Sequence, residues 1–153
     1  MKNENELEVT LQEISEETLW SVLDLEVSED QKKYVAPNAV SIAEAHFSPY
    51  AWFRAIYAGE TPVGFVLLYL DEEEAEYDLW RIMIDKNQQR KGYGSQALDL
   101  VFEHVRKLAD AEELSLSYLP GEGDPSAFFQ DFGFKDSEEW VDDEKILLLP
   151  LTN

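Results

Sequence analysis

The sequence predicts an α+β protein, one domain spanning residues 1–153, built on a mixed, mostly antiparallel central sheet with helices on both faces. Three observations lead there. Hydrophobic periodicity places the elements in the order β-α-α-β-β-β-α-β-α-β-β. The middle strands follow one another through turns too short for a crossover, so they pair as hairpins. One long helical pattern, entered through a glycine-containing loop, separates two strands and makes the α crossover.

Each element has its own signal. Glu8 to Ile14 alternates as a first strand, and Ser15-Glu16-Glu17-Thr18 then offers a helix cap with acids in the first turn. Leu19, Trp20, Val22, Leu23 and Leu25 form the apolar positions of that helix. Ala39 to Phe47 suits a second helix before Pro49. Trp52 to Tyr57 reads as a strand, with Ala58 to Pro62 as its turn. Val63 to Leu70 is almost continuously apolar and hence a buried strand. Asp71 to Ala75 turns the chain into a strand over Glu76 to Ile84. The long helix covers Tyr93 to Ala109, and Leu114 to Tyr118 alternates as the next strand. Pro125 to Phe132 is a short helix with proline in its first turn, ended by Gly133. Strands from Phe134 onward and over Lys145 to Leu149 complete the set.

Composition excludes several functions. The net charge is −21, from 33 acids against 12 bases, which argues against nucleic acid and against anionic membranes and favours cationic partners. The runs Asp71 to Glu74, Glu138-Glu139 and Asp142 to Glu144 read as solvated turns. There is no cysteine, so there are no disulfides, thiolate metal sites or cysteine nucleophiles. His46 and His104 are too few and too separated for a metal site; none is expected, and His104 reads as a surface or packing residue. The start, Met1 to Glu6, has no apolar run behind a basic residue, and no eighteen-residue apolar stretch follows. A cytoplasmic protein without a membrane span is the expectation. A homodimer is left open.

The most informative segment is Asp85-Lys-Asn-Gln-Gln89-Arg-Lys-Gly92-Tyr-Gly94-Ser95. A strand precedes it and a helical pattern follows. A helix N-terminus offers unpaired N–H groups and partial positive charge. Gly92 and Gly94 let the backbone form a nest of amides and let a phosphate approach closely, while Arg90 and Lys91 add formal charge. The spacing is not that of a P-loop, and the third glycine of a dinucleotide fingerprint is missing.

Gln89-x-x-Gly92-x-Gly94 instead resembles the pyrophosphate loop of the GCN5-related N-acetyltransferases. Trp80 to Asp85 resembles the cofactor strand of that superfamily, and Phe128-Phe129-Gln-Asp-Phe-Gly-Phe134 its late helix. Leu25 to Gln31, Tyr34 to Asn38 and Val63 to Val66 resemble the bacterial spermine/spermidine (diamine) acetyltransferases. The resemblance implies acetyl-CoA, held by Ile82, Met83, Ile84, Gln89, Arg90, Lys91, Gly92, Tyr93, Gly94, Ser95 and Phe129. It also implies direct transfer: an amine attacks the thioester carbonyl, a backbone N–H of the Ile82 to Ile84 strand steadies the oxyanion, and the thiolate leaves.

The chain departs from the family where protons move. Phe129 stands where the family commonly has a thiol-protonating tyrosine, and Trp80 where some members carry a glutamate base. Asp78, on the same strand face as Trp80, is the candidate base, and Tyr118 the candidate acid. An asparagine often found before the late helix is missing from Pro120 to Asp124. For a polyamine acceptor, the candidates are the carboxylates Glu26, Glu29, Asp30 and Glu44 and the rings of Tyr34, Trp52 and Trp80. The competing readings are an aminoglycoside or peptide amine as acceptor, or a non-catalytic acyl-CoA-binding sensor.

Overall fold

In a computed structural model, which describes residues 7–152, the predicted sheet is present. The reading of Met1 to Glu6 lies outside the described residues. Seven strands run in the order β1-β2-β3-β4-β5-β7-β6: β1 Val9–Gln12, β2 Ala51–Ala58, β3 Thr61–Asp71, β4 Glu76–Ile84, β5 Glu113–Tyr118, β6 Lys135–Val141 and β7 Glu144–Pro150. Every neighbouring pair is antiparallel except β4 and β5. Four helices accompany them: α1 Leu19–Leu23, α2 Asn38–His46, α3 Tyr93–Val105 and α4 Ser126–Phe132.

The helices divide between the two faces because alternate strand residues point to opposite sides. One face carries Ile56, Val66, Leu68, Tyr77 and Leu79, and packs on Ala97, Leu98, Val101 and Val105 of α3 and Phe129 of α4. The other carries Ala55, Tyr57, Phe65, Leu67 and Met83, and packs on Val22 of α1 and Ala45 of α2. Pro62, which cannot donate to a ladder, sits where the β2–β3 register shifts between Ile56 and Tyr57.

Several boundaries differ from the sequence reading. The short 3-10 turn Glu29–Gln31 was not anticipated. Helix α3 ends at Val105 rather than Ala109, because long-range bonds hold the next turn. Tyr77 Oη donates to the Ala109 carbonyl, and Glu72 Oε1 accepts the Ala109 N–H at 3.1 Å. His104 is a packing residue as read, stacked on Trp52 with ring centroids 4.5 Å apart. That stack, with the Arg54 guanidinium 4.3 Å from the Trp52 ring, commits Trp52 to the α3 face.

Candidate functional site

Strands β4 and β5 are parallel neighbours with one register pair, Asp78 with Ser115. Beyond it they diverge. On the other side of β4, the β3 register jumps from Leu67–Arg81 to Leu68–Leu79, leaving Trp80 as the extra residue of a bulge. The wedge between β4 and β5 opens into a cleft of about 1080 Å³, with Leu79 to Ile84 on one wall and Leu116 to Leu119 on the other. Every second N–H of β4 on this edge lacks a strand partner beyond Asp78, which suits a donor to developing negative charge.

At the end of β4 the chain enters the glycine loop, where Arg90 has φ of +65° and Gly92 of +82°. These reversals of backbone hand form a concave run of amides that opens helix α3. The first backbone bond of that helix runs from Gln96 N–H to the Gly92 carbonyl, at 3.2 Å. The amides of Tyr93, Gly94 and Ser95 therefore have no intrahelical acceptor. A Cβ on Gly92 would meet only Gln96 Nε2, at 3.7 Å, and so would stand in the open cleft. A Cβ on Gly94 would come within 3.0 Å of Phe128 Cζ, so α4 rests directly on the loop. An open cradle of free amides with an exposed Arg90 fits a pyrophosphate.

The structure brings together most of the residues read as cofactor-binding. Ile82, Met83, Ile84, Gln89, Arg90, Gly92, Tyr93, Gly94, Ser95 and Phe129 all line the cleft, as do Trp80, Tyr34 and Tyr118. Lys91 does not; its ammonium donates to Gln88 Oε1 at 3.0 Å. Phe129 is buried against Phe134, edge to face, with ring centroids 5.7 Å apart. Asp78 lies just below the wedge rather than on its walls, and accepts a hydrogen bond from Ser115 Oγ at 2.6 Å.

None of the acids named for the acceptor lines the cleft. Three of them face cations. Glu26 meets Lys86 at 2.6 Å and Lys32 at 3.6 Å, Glu29 meets Lys32 at 2.6 Å, and Glu44 holds Arg81 at 3.2 Å. The Lys86 hydrogen bond, then Lys32, holds the Glu26 carboxyl below its usual range. Asp30, on the exposed 3-10 turn, is also off the wall. Three other acids are on it: Asp124 before α4, and Asp143 and Glu144 at the β6–β7 turn. Burial pushes the Asp124 carboxyl up, but hydrogen bonds from Ser126 and the Gly121 amide outweigh this and hold it low. The sequence reading set Asp142 to Glu144 aside as a solvated run; the pairing of Tyr118 with Lys145 carries that turn to the end of β5. Among the described residues no group of three or more histidine, cysteine or acidic side chains could hold a metal, and no helix is long and apolar enough to cross a membrane.

Burial, opposed by the Ser115 and Glu76 hydrogen bonds, holds the Asp78 carboxyl above its usual range. A carboxyl raised by folding favours the folded state when protonated, so its contribution falls as pH climbs from the ordinary aspartate value through the raised one. Asp78→Asn keeps an oxygen for Ser115 and removes the buried charge. Thermal unfolding should place the variant above the parent at pH 7 and bring the two together near pH 4.

The comparisons with known proteins agree with this geometry. Residues 11–134 match the acetyltransferase (GNAT) family. A probable spermine N(1)-acetyltransferase of Bacillus subtilis subsp. natto is 26% identical over 152 residues, covering 95% of this chain and 100% of the relative. The spermine/spermidine N(1)-acetyltransferase of Bacillus subtilis is 25% identical with the same coverage. The spermidine N-acetyltransferase of Vibrio cholerae, solved with CoA and spermine, superposes with a TM-score of 0.71 at 14% identity, covering 94% of this chain and 95% of that one. The chain belongs to the GNAT acetyltransferase family and is an acetyl-CoA-dependent N-acetyltransferase.

Proposed function

We propose that the protein acetylates a primary amine of a small polycation, spermine or spermidine, by direct attack on acetyl-CoA. The observation that carries this reading is the charge layout of one cleft. A loop of free amides with Arg90 closes the β4 side, and Asp124, Asp143 and Glu144 stand on the β5 side. Two relatives at about a quarter identity bear names with spermine in them, which supports the same acceptor. A cytoplasmic setting belongs to this reading, since the thioester donor is an intracellular metabolite.

Acetyl-CoA supplies an acyl group on a good leaving thiol. The chain's own residues do the rest. Gly92 to Ser95 and Arg90 hold the pyrophosphate, and the splayed edge of β4 from Ile82 to Ile84 aims an N–H at the carbonyl oxygen. The acids of the β5 wall hold distal ammonium groups, leaving the terminal amine beside β4 to attack once it has lost its proton. Tyr118 lines the cleft wall, which supports it as the acid that protonates the leaving sulfur. Asp78, beneath the wall, would take up a proton by relay rather than by direct contact with the amine.

CoA release across a panel of amines tests the acceptor. Spermine and spermidine should outrun an aminoglycoside and a lysine peptide, with rates that rise with pH and fall with added salt as attraction is screened. The double variant Asp143→Asn, Glu144→Gln should raise KM for spermine by about 2–10-fold with the acetyl-CoA KM unchanged. Peptides acetylated as fast as polyamines, at a rate indifferent to salt, would contradict the reading.

A further inference from the structure

The segment from Glu26 to Tyr34 spans the cleft and is tied down on both sides. On the β4 side, Glu26 N–H donates to Asp85 Oδ1 at 2.9 Å, and Lys86 N–H donates to the Glu26 carbonyl at 2.8 Å. On the β5 side, Tyr34 Oη donates to the Glu122 carbonyl at 2.6 Å. Between these anchors, Gln31 and Gln89 exchange hydrogen bonds. Gln89 Nε2 donates to Gln31 Oε1 at 2.8 Å, and Gln31 Nε2 donates back to Gln89 Oε1 at 3.3 Å. The second hydrogen on Gln89 Nε2 goes to the Ile84 carbonyl at 2.9 Å, and Gln31 Oε1 also accepts Ser28 N–H at 3.3 Å.

The anchors differ in what they can sense. Asp85 is buried, and its own N–H is held by the Val63 carbonyl of β3 at 2.8 Å, so the Glu26 tie rests on the sheet. Tyr34 reaches a loop beyond β5. The Glu26 ties reach the start of the loop at Asp85 and Lys86, where the Lys86 ammonium also meets Glu26 at 2.6 Å, and the Gln31–Gln89 pair reaches the Gln89 to Ser95 stretch that carries the glycines. A ligand that fixes the loop backbone fixes Gln89, and through it Gln31 and the 3-10 turn that carries it.

We propose that Gln31 is a positioning residue that carries the ordering of the Gln89 to Ser95 loop by CoA into residues 26–34, so that bound cofactor sets the opposite wall of the cleft for the acceptor. This rests on the pyrophosphate binding at that loop. Coupling of this kind is reciprocal: an acceptor that contacts the segment tightens CoA by the same factor.

Hydrogen–deuterium exchange with and without saturating CoA tests it, on the parent, Gln31→Leu and Gln31→Glu. In the parent, CoA should slow exchange both in residues 88–95 and in residues 26–34. Gln31→Leu should keep the first effect and lose the second, with unchanged exchange in β3 showing that it is folded. Its CoA affinity should fall by about 2–10-fold, the weight of one net hydrogen bond. Gln31→Glu keeps an oxygen for Gln89 Nε2 and Ser28 N–H, and should restore protection of 26–34. Protection confined to 88–95 in the parent, or full protection of 26–34 in Gln31→Leu, overturns the proposal while leaving the cofactor site standing. No protection in either segment overturns the cofactor site and the proposal with it.

Discussion

Gly92→Val should remove measurable acetyl-CoA binding while the protein stays folded. Two effects add. Gly92 has φ of +82°, which a β-branched residue adopts only with strain. Its missing Cβ also faces open cleft, with Gln96 Nε2 at 3.7 Å as its nearest contact, so valine methyls would occupy the space over the amides of the loop. Losing two charge-assisted hydrogen bonds to phosphate, at about 1.5–3 kcal/mol each, weakens binding by about 100-fold or more. The strain costs about 1–3 kcal/mol of stability. Gly59→Ala separates the two effects: it shares a positive φ, +60°, but does not line the cleft. It should lower the unfolding temperature and leave calorimetric CoA binding intact. Equal loss of binding in both variants would mean that strain, not the blocked cradle, is responsible.

Phe129→Tyr should raise kcat. Phe129 combines burial in the α3–α4 core with a place on the cleft wall. Tyrosine there restores the hydroxyl that the family resemblance implies at this position. General acid catalysis contributes about 10²–10⁴-fold where it operates. The gain here is bounded by whatever Tyr118 already supplies, so the two positions are measured together. Tyr118→Phe alone should slow turnover, and Phe129→Tyr in that background should recover it, with the acetyl-CoA KM nearly constant throughout. If neither substitution moves kcat, no side-chain acid at these positions limits the reaction.

Local periodicity carried most of the fold. Strands β3 and β4 and the start of helix α3 stand where alternation, apolar runs and the glycine loop placed them. The errors fall where distant partners decide. The last turn expected of α3 is held away from the helix by Tyr77 and Glu72, which are thirty or more residues earlier. The loop proposed for the cofactor was legible because its features are contiguous in the chain: free amides, glycines and a cation within one short segment. The wall proposed for the acceptor was not, because it forms across the sheet. Glu26, Glu29 and Glu44 fit a polyamine by type and by their place in the first half of the chain, yet folding turns them onto Lys86, Lys32 and Arg81. Asp143 and Glu144 lie in a run that looks like ordinary solubilising charge, and only the β5–β7 register brings it to the cleft. Gln31 closes the Leu25 to Gln31 stretch that carries the family resemblance, but nothing in the sequence pointed to its pairing with Gln89, 58 residues away.

The most direct measurement of the central claim is acetyl-CoA turnover with spermine, followed as free CoA released and acetylated amine formed in the same reaction. The account predicts equal amounts of the two products at saturating acetyl-CoA, a rate that rises with pH, and loss of both products in Gly92→Val. Tight CoA binding by the parent with no acetylated spermine at any pH, while a peptide or aminoglycoside amine is acetylated instead, would contradict it.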